Sequence, residues 1–104
     1  MLNCELIHNP TPGSLQILKR KIHDRELVVY LDSHRVEAMG LIQGQLAKIL
    51  VAADIAEKVA NVRVAEIAGS CPQHITMIAV FGSTSAVKVA IEAVKNDVRD
   101  LGKR

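Results

Sequence analysis

Between residues 46 and 60 the apolar positions Leu46, Ile49, Leu50, Ala53, Ala56, Val59 and Ala60 recur at helical spacing. That period predicts an amphipathic helix over GQLAKILVAADIAEKVA, with an alanine-rich face suited to close packing on a sheet. Val87, Ala90, Ile91, Val94, Val98 and Leu101 mark a second helix, opened by the capping series Gly82-Ser83-Thr84-Ser85. Between the two, VRVAEIA and ITMIAVF read as strands joined by the loop GSCPQH. The second of these strands is apolar at nearly every position, the pattern of a strand covered on both faces. Ahead of the first helix, RVEAMGLIQ reads as another strand, in which Gly40 permits a neighbour to approach closely.

The predicted order is β-α-β-β-α, a split β-α-β-β-α-β pattern lacking its last strand. After the second helix only Leu101-Gly-Lys-Arg remains, too little to close the sheet. The candidate lies at the other end: LNCELIH, residues 2–8, followed by the turn Asn-Pro-Thr-Pro-Gly. A final strand moved to the front is a circular permutation, which compact domains accommodate because their termini often lie close together. The segment ELVVYLD (26–32) reads as an extra strand, and residues 21–34 as a whole fall outside the simple pattern. The fold class predicted is α/β of the α+β kind, one domain over residues 1–104, a length that supports a single modest core.

Composition narrows the function. One Tyr, one Phe, no Trp and a net charge of +2 give neither the basic stripe nor the stacking aromatics of a nucleic-acid binder. No apolar run approaches the roughly 18 residues a membrane helix needs. MLNCELIHNP has neither the charged start nor the apolar core of a signal peptide, and a cytoplasmic location is expected. No nucleophile–base pair or paired carboxylates stand out, so an enzyme is not expected.

Two cysteines in such a compartment are not expected to form a structural disulfide. Cys4, in an alternating stretch, reads as a small buried hydrophobe. Cys71 is different. It follows Gly69-Ser70 and precedes Pro72, Gln73 and His74, in a turn where packing gives no reason for a thiol. His8, His23 and His34 read as solvated or capping residues. Gly82–Ser85 reads first as a helix cap, since the glycine pattern of a nucleotide loop is absent.

EAMGLIQ, AADIAEKVANV, the loop, and ITMIAVFGSTSAVKVAIEAV together resemble, over residues 35–95, the shell-protein domain of bacterial microcompartments (the BMC domain). LNCELIHNPTPGSLQILKRK resembles that family's usual C-terminal strand and short helix carried at the front, as in its permuted members. The Gly-Ser-Cys-Pro-x-His loop is similar to that of U-type shell proteins of glycyl-radical propanediol microcompartments. The resemblance implies a cyclic homohexamer, tiled with other shell proteins, whose loop Ala68–His74 lines a central pore. It further implies an iron–sulfur cluster there, 4Fe–4S in type, with Cys71 as ligand and His74 as an alternative ligand or outer donor. Gly69, Ser70, Pro72 and Gln73 complete the loop. Pro72 holds Cys71 towards an extended backbone, and Gly69 is expected to let the loop turn sharply. Lys58, with Asp54 and Asn61 beside it, matches the family's tile-edge contact. The family's other edge arginine has no counterpart in HNPTPG.

Two further readings stand beside this one. A shell protein with the same fold conducts metabolites through its pore without metal. A stand-alone ferredoxin-like domain binds a small regulatory ligand, shares the topology, and is separated from the hexamer by size.

Overall fold

The computed structural model describes residues 2–69 and 75–102, with side chains described up to residue 97. Its elements run β1 (Asn3–His8), α1 (Pro12–Lys19), α2 (Arg25–Ser33), β2 (Ala38–Gln45), α3 (Leu46–Val59), β3 (Arg63–Ile67), β4 (Ile75–Gly82) and α4 (Thr84–Gly102). The four strands form one antiparallel sheet in the order β1-β2-β4-β3. The N-terminal strand is the fourth member, as the pattern predicts: Cys4 lies opposite Ile42 and Leu6 opposite Gly40. Asn9 ends β1 with φ 46°, a left-handed backbone that Asn tolerates better than most residues. Its N–H donates to the Glu37 carbonyl at 2.8 Å, so the turn leaving β1 is tied to the residue preceding β2.

Side chains alternate across a strand, and here both faces are covered. On one, Ile42, Ile78 and Val80 meet Ile49, Ala52 and Ala56 of α3 and Ala90 and Val94 of α4. On the other, Met39, Ala65, Ile67, Ala79 and Phe81 meet Leu18 and Ile22, from α1 and the stretch after it, and Leu27 and Leu31 of α2. The central β4 is therefore sandwiched, which accounts for its nearly continuous apolar sequence.

The segment 26–32 is a helix, not the strand expected. Asp24 caps it, its carboxylate accepting the Leu27 N–H at 3.2 Å, and Glu26 adds a negative charge in the first turn. Leu27 and Leu31, four apart, are buried, whereas Val29 between them is 62% exposed. The Val-Val-Tyr run favours a strand locally, but the cap and the four-residue spacing of the leucines prevail. Tyr30 carries the Arg63 guanidinium 4.0 Å above its ring and stacks on His34 at 4.1 Å between centroids, linking α2 to β3.

The predicted face of α3 is also turned. Ile49, Ala52 and Ala56 are buried, while Leu46, Leu50 and Val59 are exposed. In α4, Val87, Ala90, Ile91 and Val94 are buried as expected; the side chains of Val98 and Leu101 lie outside the described residues.

Gly40 behaves as predicted. A Cβ there would lie 2.5 Å from Ile91 Cδ1 and 3.2 Å from Val87 Cγ1, so α4 rests directly on the β2 backbone. Gly40→Val is expected to destabilise the fold by about 1–3 kcal/mol through overpacking, read as a lower urea midpoint at unchanged slope. An unchanged midpoint would mean that α4 does not sit on Gly40.

Candidate functional site

The loop joining β3 to β4 leaves the sheet at one end. Ile67 pairs with Met77, and β4 runs on to Ile75, which pairs with Gln45 at the end of β2. Ser70, Cys71, Pro72, Gln73 and His74 lie outside the described residues, so the predicted metal ligands and most of the predicted pore loop do too. Its base is described. The Ala68 N–H donates to the Lys21 carbonyl at 2.7 Å, fastening the start of the loop to the linker between α1 and α2. Gly69 is exposed and has no left-handed backbone, so the sharp turn expected of it does not call on glycine's special freedom at that residue. Beside the loop base lies a groove of about 590 Å³, lined by Lys21, His23, Gln43, Glu66 and Thr76 among others. His23 thus stands near the loop base, a placement with no signal in the sequence because α2, β2, α3 and β3 lie between them along the chain.

The donor chemistry limits what this end can hold. Among the described residues no group of His, Cys, Asp and Glu is placed to bind a metal. Cys4, the other thiol, lies in β1 on the opposite edge of the sheet and packs into the helix-facing core. Burial pushes its thiol up from the ordinary value; nearby Lys95 lowers it and Glu5 raises it. Each chain therefore brings one loop thiol and one loop imidazole. A cluster with about four thiolates fits such a donor set only where several chains converge.

The residues expected at a tile edge lie away from the loop, on the second half of α3 and just after it. Lys58 and Asp54 form an ion pair of 2.7 Å one helical turn apart, with side chains 72% and 60% exposed. Asn61 follows α3 and lines a separate cavity near the start of α4. At the α4 N-terminus the Ser83 hydroxyl accepts the Ala86 N–H at 3.2 Å, the plain cap expected of that series. An exposed pair of this kind contributes about 0.3–0.5 kcal/mol. Lys58→Ala is therefore expected to leave the urea midpoint of the isolated protein nearly unchanged, so that any defect it causes in sheet assembly reports a contact between molecules.

The model of the BMC domain matches residues 38–103, from the first residue of β2 through α4. The chain belongs to the BMC-domain family. Its place is the shell of a bacterial microcompartment, where BMC-domain proteins are building elements rather than enzymes. The ligand-free GrpU microcompartment shell protein from Pectobacterium wasabiae is similar, at 32% identity and TM-score 0.70, over 89% of this chain and 99% of that one. The ligand-free GrpU protein from Clostridiales bacterium 1_7_47FAA is 30% identical, with TM-score 0.66 over 89% and 87% of the two chains. A fused permuted hexameric shell protein from the RMM microcompartment shares the fold, with TM-score 0.67 at 21% identity over 92% of this chain and 44% of that one. No curated relative matches the sequence. In this BMC-domain chain β1 stands ahead of the matched region and closes the sheet against β2. Among the described residues no helix is long and apolar enough to cross a membrane.

Proposed function

We propose that this BMC-domain protein forms a homohexameric tile whose β3–β4 loops, Ala68–His74, surround a central pore and hold an iron–sulfur cluster through Cys71. The observation that carries this reading is the position of Gly-Ser-Cys-Pro-x-His: it occupies the link between two core strands of a BMC domain, at one end of the sheet. A rotation axis near that end gathers identical loops, turning one thiol per chain into a ring of six. Association has support of its own in Leu46, Leu50, Val51 and Val59, which α3 exposes in the isolated chain.

A 4Fe–4S cluster supplies one-electron chemistry when bound. Four ligands taken from six equivalent thiols break the sixfold symmetry and leave some cysteines unligated. His74 is the second donor of the loop, as ligand or as hydrogen-bond donor to a ligand. Pro72 biases Cys71 towards an extended backbone. Electron passage across the shell and delivery of the cluster to an enclosed enzyme are the two roles that such a position serves. Tiling through Lys58, Asp54 and Asn61, with other shell proteins as neighbours, belongs to the same proposal.

Native mass spectrometry and visible absorption of anaerobically purified protein test it together. A hexamer carrying iron and inorganic sulfide is the expected result. A hexamer with neither leaves the metal-free metabolite pore in its place. A monomer or dimer removes the ring, and with it the means of assembling ligands.

A further inference from the structure

At the far end of β4 from the loop, about 23 Å away for an eight-residue strand, lies a second concavity. It measures about 410 Å³ and is lined by Tyr30, Arg35, Glu37, Asn61, Arg63 and Ser83 among others. We propose that this cavity binds a small phosphate-bearing anion, gripped by Arg35 and Arg63.

The argument begins with charge. Lys19 and Lys58 are ion-paired, to Asp32 and Asp54. Among the described residues neither Arg35 nor Arg63 has such a partner, although Glu37 lines the same cavity. Both arginines line the same concavity, so an oxyanion seated there meets two positive side chains. Guanidinium forks match phosphate oxygens in pairs, and a dianion balances two positive charges.

Positioning is the second strand. Arg63 lies over the Tyr30 ring, and that ring also stacks on His34, so its direction is set before any ligand arrives. Arg35 reaches Asn9 Oδ1 at 3.4 Å, a long contact to a neutral acceptor that a phosphate oxygen readily replaces. Asn9 is itself held by its bond to the Glu37 carbonyl. Three separate parts of the chain line the cavity: the end of α2 with the residues before β2, the start of β3 with Asn61 ahead of it, and the junction of β4 with α4 at Gly82 and Ser83. Glu37 opposes the anion and acts as a built-in weakener.

Isothermal titration with inorganic phosphate, against acetate at equal ionic strength, tests the proposal on the purified protein. One phosphate per chain is expected, with acetate much weaker. Arg35→Gln and Arg63→Gln are each expected to weaken phosphate about tenfold or more, Glu37→Gln to tighten it, and Lys48→Gln, on α3, to change nothing. Arg63→Gln also removes the stack on Tyr30, so Arg35→Gln decides. Absence of binding, equal binding of acetate, or binding unaffected by Arg35→Gln overturns the proposal. Because the cavity lies at the end of β4 away from Ile75, where the β3–β4 link joins the sheet, none of these outcomes depends on a cluster at the loop.

Discussion

In anaerobically purified protein, Cys71→Ser is expected to abolish visible absorption and bound iron while leaving the number of chains per assembly unchanged. The loss should be complete rather than graded. An iron–sulfur cluster is held by thiolates, and a serine hydroxyl stays protonated at neutral pH, so replacing the sole loop thiol removes all equivalent ligands at once. The fold should be indifferent, because the described core layers on both faces of the sheet draw on residues of the strands and helices. Cys4→Ser is the matching control: that side chain packs among helix-facing residues, and burial holds its thiol in the protonated form. Colour that survives Cys71→Ser, or disappears with Cys4→Ser, would place the cluster elsewhere or remove it from the protein.

The second large effect is on stability. Phe81→Ala is expected to cost about 3–5 kcal/mol, a substantial part of the roughly 5–15 kcal/mol that holds a domain together. Phe81 is the only phenylalanine and is 3% exposed, on the face that carries α1 and α2. Opposite Met39 across the β2–β4 pair, it fills the layer into which Leu18, Ile22, Leu27 and Leu31 pack. Truncation leaves a cavity that these short helices close only by shifting. Urea unfolding gives the cost directly, and Val29→Ala, at a 62% exposed site, should stay within about 0.5 kcal/mol. A Phe81→Ala cost below about 1 kcal/mol would show that the α1–α2 layer is not firmly seated on the sheet.

Much of this architecture was legible because periodicity and punctuation agreed. Ile75–Gly82 is apolar but for Thr76 since helices cover both its faces, and the helical spacing of Val87, Ala90, Ile91 and Val94 matches their burial. LNCELIH carries the alternation of a strand, and β1 pairs with β2 from Asn3 to His8. Reading failed where local preference and tertiary packing disagreed. In ELVVYLD the β-branched run outweighed the weaker signals of an aspartate cap and two leucines four apart. On α3 the apolar residues outnumber the places available against the sheet, so periodicity alone did not select Ile49, Ala52 and Ala56 over Leu46, Leu50 and Val59. The candidate ligands were legible as chemistry, a thiol and an imidazole in a turn, although their arrangement lies outside the described residues. The arginine cavity has no signature in the sequence, because Arg35 and Arg63 come to line one cavity only after α2, β2 and β3 have found their places.

The permuted order changes what the start of the polypeptide is good for. Asn3 pairs with Gln43, two residues before Gln45 meets Ile75, so the leading end emerges at the loop side of the domain. A peptide appended ahead of Leu2 would be displayed near the hub of an assembled ring rather than along its rim. In the hexamer proposed above, six such tethers would crowd a single opening, which would suit this end to plugging or recruiting at that aperture rather than to joining one tile to the next.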